Sequence, residues 1–140
     1  MNVAIVYESL TGNTKKAAEL MGRELTRANV AATVFPMTRI NYQALASADV
    51  VVVGSWTDGF IFVGQRPGRA QRLRALPVLD GKRCLVFCTY AVDPGKTLEK
   101  MTVILEGRGA QVLGGMALRR QELVGGVKEF VDRLLQAIPA

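Results

Sequence analysis

Short, continuously apolar runs rich in Val and Ile alternate along this chain with longer segments whose apolar residues recur at helical spacing, and few folds accommodate that alternation. Residues 2–7 (NVAIVY) read as a strand, and 13–28 (NTKKAAELMGRELTRA) carries Ala17, Leu20, Met21 and Leu25 on one helical face. The pattern repeats through a strand AATVFP (31–36), a short helix near 41–47, a strand DVVVVG (49–54) and a helix opened by Pro67 over 67–76. A strand KRCLVFCT (82–89), a helix over 95–107, a strand AQVLGGMA (110–117) and a last helix over 125–138 complete it. The prediction is five strands and five helices.

Runs such as VVVV and CLVF leave no polar side chain for a wet face, so these strands belong at the centre of a parallel sheet covered by helices on both sides. The expected fold is α/β, a doubly wound three-layer sandwich. At 140 residues and 49% hydrophobic content, one domain over 1–140 with a continuous core is expected. Sheets of this kind bind ligands at the carboxyl ends of their strands, near the point where strand order reverses. The loops after the first, third and fourth strands are therefore the candidate site.

Composition narrows the classes further. No stretch approaches the roughly 20 apolar residues of a bilayer span. The opening MNVAIVYES lacks a basic start and a small-residue cleavage site, so a soluble, cytoplasmic protein is expected. Cys84 and Cys88 would lie on one face of a strand about 13 Å apart, too far to bridge each other. With no histidine and no CxxC pair, no metal site is expected, and both thiols read as buried core. Lys and Arg number 18 against 12 Asp and Glu, a net +6 that favours acidic partners or anionic ligands. Basic residues gather at Arg66, Arg69, Arg72, Arg74, Lys82-Arg83 and Arg119-Arg120. A solvated face is the default for them, and without an aromatic platform or recognition motif, nucleic acid is not expected.

After the first strand comes Glu8-Ser9-Leu10-Thr11-Gly12-Asn13-Thr14, three hydroxyls and a carboxamide around one glycine. Gly12 permits a tight turn, and the N–H groups opening the next helix point into the same space, a combination suited to phosphate. Lys15 and Lys16 occupy the first helical turn, where acidic residues are normally favoured. A bound dianion would relieve that conflict; an ordinary capped helix with two solvated lysines is the alternative. Neither GxxxxGK[ST] nor GxGxxG at the start of a helix occurs, the loop lacks the acidic cluster of a response regulator, and it has no cysteine for a low-molecular-weight phosphatase.

Ser9-Leu10-Thr11-Gly12-Asn13-Thr14 resembles the [ST]-x-T-G-x-T loop with which flavodoxins bind the FMN phosphate, and the resemblance runs along almost the whole chain. It implies a five-stranded parallel sheet in the order 2-1-3-4-5 and, with no inserted loop in the last strand, the short-chain type. It implies further that the loop after strand three, beginning Ser55-Trp56-Thr57-Asp58-Gly59, meets the isoalloxazine ring. Trp56 matches the stacking aromatic, Thr57 the residue whose carbonyl meets flavin N5, and Asp58-Gly59 complete the turn. Thr57 stands where glycine is common in the family. In the loop after strand four, Thr89 to Gly95, Tyr90 matches the second stacking aromatic, with Thr89, Asp93 and Gly95 beside it. The alternatives are that Trp56 packs within its own loop and that Tyr90 is a plain surface residue.

The function so implied is one-electron transfer through non-covalent FMN, with no catalytic side chain, to a redox partner protein. Most flavodoxins are strongly acidic, so the net +6 here points to a partner with an acidic surface. Two alternatives remain: an FMN-dependent oxidoreductase of the quinone reductase or protoporphyrinogen oxidase type, its substrate lined by Phe60-Ile61-Phe62-Val63, and an interaction module without flavin that uses a basic face.

Overall fold

In a computed structural model the chain is described over residues 1–59, 64–77 and 79–138. Among these residues the strands are β1 (Asn2–Tyr7), β2 (Ala31–Pro36), β3 (Val50–Asp58), β4 (Arg66–Pro67), β5 (Arg83–Tyr90) and β6 (Gln111–Arg119). The helices are α1 (Asn13–Arg27), α2 (Tyr42–Ser47), α3 (Ala70–Arg74), α4 (Thr97–Glu106) and α5 (Leu123–Ala137), with a 3₁₀ turn at Arg120–Glu122.

Five strands form the parallel sheet in the order β2-β1-β3-β5-β6, and β4 pairs antiparallel with the end of β3. Apart from that two-residue strand, this is the expected 2-1-3-4-5 order. Alternation along β3 distributes its side chains to two cores. Val50 and Val52 join Ile5, Phe87 and the apolar faces of α1 and α5 on one side. Val51 and Val53 join Val6, Val86, Leu45 of α2, Leu73 of α3 and Met101 of α4 on the other. The sheet is thus covered on both faces, which is why its central strands carry no polar alternation.

The sequence misjudged the middle of the chain in two places. Strand three does not end at Gly54: it continues to Asp58, so Ser55, Trp56, Thr57 and Asp58 are strand residues. The segment from 67 is not helical at its start. Pro67 pairs with Thr57 and Arg66 with Asp58, while the Gly68 N–H donates to the Trp56 carbonyl at 2.8 Å. Arg69 then adopts φ 48, and only Ala70–Arg74 is helical. Proline fits this short edge pairing as well as it fits a helix start, and local pattern could not choose between them.

Cys84 and Cys88 are free and buried, as expected. Burial pushes the Cys84 thiol up to about 12 and the Cys88 thiol up to about 11, the Thr57 hydroxyl pulling the latter slightly back. The ordinary thiol value is 9.0, so the unfolded chain releases these protons first as pH rises, and stability falls from that point upward. The urea midpoint should begin to decline near pH 9.0, ahead of the further fall that Tyr7 adds as its unfolded-state phenol titrates near 10.0, and the double Cys→Ala variant should lose the earlier part of that decline. Gly54 supplies a second check. A Cβ there would lie within 2.5 Å of three atoms of the Phe87 ring, which is fully buried and has no room to retreat. Gly54→Ala should cost about 3 kcal/mol in urea denaturation, the upper range for overpacking a core.

Candidate functional site

The turn after β1 takes its shape from its own short side chains. Gly12 has φ 99, and the Ser9 Oγ accepts from the Gly12 N–H at 3.2 Å and the Lys15 N–H at 3.3 Å. Asn13 donates from its amide to Thr11 Oγ1 at 3.3 Å. Gly12 at the N-cap offers α1 no side-chain cap, the Ser9 Oγ reaches only the Lys15 N–H of its first turn, and no acidic residue occupies that turn. The N–H groups of Thr11, Asn13 and Thr14 likewise have no hydrogen-bond partner among the described residues. A Cβ built on Gly12 meets nothing within 4 Å, so the left-handed turn opens on free space. Unspent donors, a helix dipole and two exposed lysines behind them make an anion-binding end.

Above the turn lies a cavity of about 570 Å³ at the carboxyl edge of β1, β3 and β5, within the usual range for small-molecule sites. Leu10, Thr11, Asn13 and Thr14 line its first wall, Trp56 to Gly59 its second, and Thr89 to Ala91 its third. Thr14 and Thr89 join the first and third walls through a buried 2.9 Å contact between their hydroxyls. Trp56 lines the cavity and is half-buried: its indole packs on Gly68 and has the Arg69 guanidinium 5.4 Å from the ring centroid. Lining the cavity and packing within its own hairpin are therefore not exclusive for this residue. The Thr57 Oγ1 is buried without a well-formed hydrogen bond among the described residues. Gly59, at φ 98, closes the second wall against the Gly64 carbonyl.

Several residues expected here serve the walls from outside. Ser9 and Gly12 lie beneath the loop, in a separate small recess that also contains Glu8. Ser55 is buried and donates to the Gly68 carbonyl at 2.8 Å, fastening β3 to the β4 turn. Asp93 and Gly95 lie past the third wall: the Asp93 carboxylate accepts from the Gly95 N–H at 3.1 Å, and Gly95 packs against Gln65. Phe60-Ile61-Phe62-Val63, the segment assigned to a substrate pocket, lies outside the described residues.

Two arginines join the site that sequence reading left on the solvated surface. Arg66 and Arg120 both line the cavity. The Arg66 guanidinium lies 3.7 Å from the Asp58 carboxylate, so a cation offsets the acidic group on the second wall. Arg120 immediately follows β6, at the same edge of the sheet as the three binding loops, and that position was its available signal. Glu8 was also underrated. Only 3% exposed, it pairs with Arg69 and Arg72 of the α3 segment at 2.7 Å each, tying the first loop to α3.

The residues present fit FMN: unpaired donors with a helix dipole for its phosphate, an apolar cavity with Trp56 and Tyr90 for its ring, and a cationic rim for the charge it acquires.

Comparison with known proteins bears on the fold and the family. A family model described as Flavodoxin domain matches residues 4–129. Among solved structures, the two-electron reduced flavodoxin of Megasphaera elsdenii superposes with a TM-score of 0.77 at 24% identity, covering 96% of this chain and 98% of that one. A cysteine-to-serine mutant of the flavodoxin of Pseudomonas aeruginosa gives 0.76 at 19% identity, with both chains fully covered. Oxidised flavodoxin 2 of Bacillus cereus gives 0.75 at 22%, covering 99% of this chain and all of that one. At these identities the structures speak for the fold alone. No curated protein matches the sequence. With residues 4–129 matched by that model and a sheet of the same order, the chain belongs to the flavodoxin family.

Proposed function

We propose that this chain binds one FMN without a covalent bond and passes electrons singly between FMN and a redox partner protein. One observation carries the proposal: Thr11, Asn13 and Thr14, whose N–H groups have no partner among the described residues, line one cavity with Trp56 and Tyr90. Phosphate chemistry at one end and aromatic faces at the other describe a flavin mononucleotide better than a free anion or an apolar ligand.

When bound, FMN supplies the redox chemistry, and the protein supplies binding and electrostatics. The Thr11, Asn13 and Thr14 N–H groups hold the phosphate together with the Thr11 hydroxyl, which accepts from Asn13 and keeps its own proton to donate, with the α1 dipole behind them. Trp56 and Tyr90 cover the ring and keep water from it. Asp58 opposes the negative charge that arrives with an electron, while Arg66 beside it and Arg120 across the cavity favour that charge. The balance is cationic, in keeping with the chain's net +6. No helix among the described residues is long and apolar enough to cross a membrane.

Two measurements test the assignment. Titration should give FMN a far tighter complex than riboflavin, and Thr11→Ala should weaken FMN by about 1–3 kcal/mol while leaving riboflavin unchanged, as for a lost hydrogen bond to a charged group. Equal affinities for the two flavins would remove the phosphate from this loop. Fluorescence tests the ring end: bound FMN should be strongly quenched in the wild type and brighter in Trp56→Leu. An unquenched wild type would exclude Trp56 from contact with the ring.

A further inference from the structure

A second and larger groove, about 790 Å³, runs between α3 and α4 beside the flavin cavity. Four of its lining cations come from the β4–α3 segment, Arg66, Arg69, Arg72 and Arg74, and two from the start of α4, Lys96 and Lys100. Among the described residues, Glu99 is the one acidic side chain in the lining. Some of this charge is spent internally: Arg66 pairs with Asp58, and Glu8 binds Arg69 and Arg72. Glu8 engages only Nη1 of each of those guanidiniums, so it fixes both while their remaining N–H groups stay unpaired among the described residues. Arg74 and Lys96 are exposed and form no ion pair among the described residues. The lining also has an apolar component from Pro67, Ala70, Ile104 and Val103, the last 69% exposed.

We propose that this groove docks the acidic face of the redox partner protein, a reading that rests on the electron-transfer function above. Three features favour that occupant. Arg66 lines both the groove and the flavin cavity, so whatever sits in the groove lies against the cofactor site. Fixed guanidiniums around exposed Val103 and the partly covered Ala70 and Ile104 suit carboxylates flanking an apolar patch, the usual composition of a small, charge-steered electron-transfer interface. Among the described residues no aromatic side chain lines the groove, which favours a protein face over a single-stranded nucleic acid with its aromatic stacking platform.

The test uses a fluorescein-labelled amphipathic helical peptide with Glu along one face and Leu along the other, measured by fluorescence anisotropy against the full chain loaded with FMN. Binding should weaken as ionic strength rises from about 0.01 M to about 0.15 M, over which the Debye length falls from ~30 to ~8 Å. Reversing Arg74→Glu together with Lys96→Glu should weaken the peptide about tenfold at low salt. Arg39→Glu with Lys128→Glu makes the same change in net charge on exposed residues outside the groove and should leave binding nearly unchanged. Val103→Ser should weaken it further without altering the salt dependence. The proposal is overturned if the peptide fails to bind, if both charge-reversal pairs weaken it equally, or if inorganic pyrophosphate or oligothymidylate displaces it and depends more strongly on Arg74 and Lys96. FMN affinity, measured separately, distinguishes the two failures: normal FMN binding without docking defeats only the groove, and absent FMN binding defeats the function on which it rests.

Discussion

The structure is organised around β3, which must lie dry on both faces. Val50 to Val53 have no polar side chain, so the strand is stable only between β1 and β5 with helices packed above and below. Each valine removed from water contributes roughly 1.5–3 kcal/mol, and together they outweigh any preference of the flanking loops. The same constraint leads to the site. Where β3 outruns its covered length at Trp56, its polar and aromatic residues emerge at the edge where the loops after β1 and β5 also end.

That edge is held by a few polar contacts that reach far along the chain. Thr14 meets Thr89, Ser55 meets the Gly68 carbonyl, and Glu8 meets Arg69 and Arg72. The Glu8 cluster matters most, because a carboxylate this buried requires both partners. It links the turn after β1 to the arginines of the neighbouring groove. The cavity above that turn and the basic groove therefore share one framework, with Arg66 common to their linings. Six of the chain's cations are gathered in that groove, beside the cavity.

Much of this was legible without coordinates. Strand and helix alternation pointed to the fold class, because apolar runs with β-branched residues have few stable arrangements. The turn from Ser9 to Thr14 was readable because its shape depends on short hydroxyl side chains, backbone N–H groups and a glycine, which leave a local signature. Trp56 and Tyr90 were singled out for a related reason: they stand at the carboxyl ends of two apolar strand runs, although the structure makes both of them the last strand residues of those runs or nearly so. The extension of β3 and the shortened α3 were hidden, because both depend on pairing between Thr57-Asp58 and Arg66-Pro67 across a loop.

The sequence by itself therefore determined what is set by near neighbours along the chain: the elements, the covered sheet, and the turn that opens α1. Only tertiary structure decided how the basic residues divide. Arg66 and Arg120 came to line the cavity, Arg69 and Arg72 became partners of Glu8, and Arg74 with Lys96 stood along a groove without an ion-pair partner among the described residues. The reason is physical: a charge acquires its role from what lies within a few ångströms in space, and Glu8 meets Arg72 across 64 residues of chain.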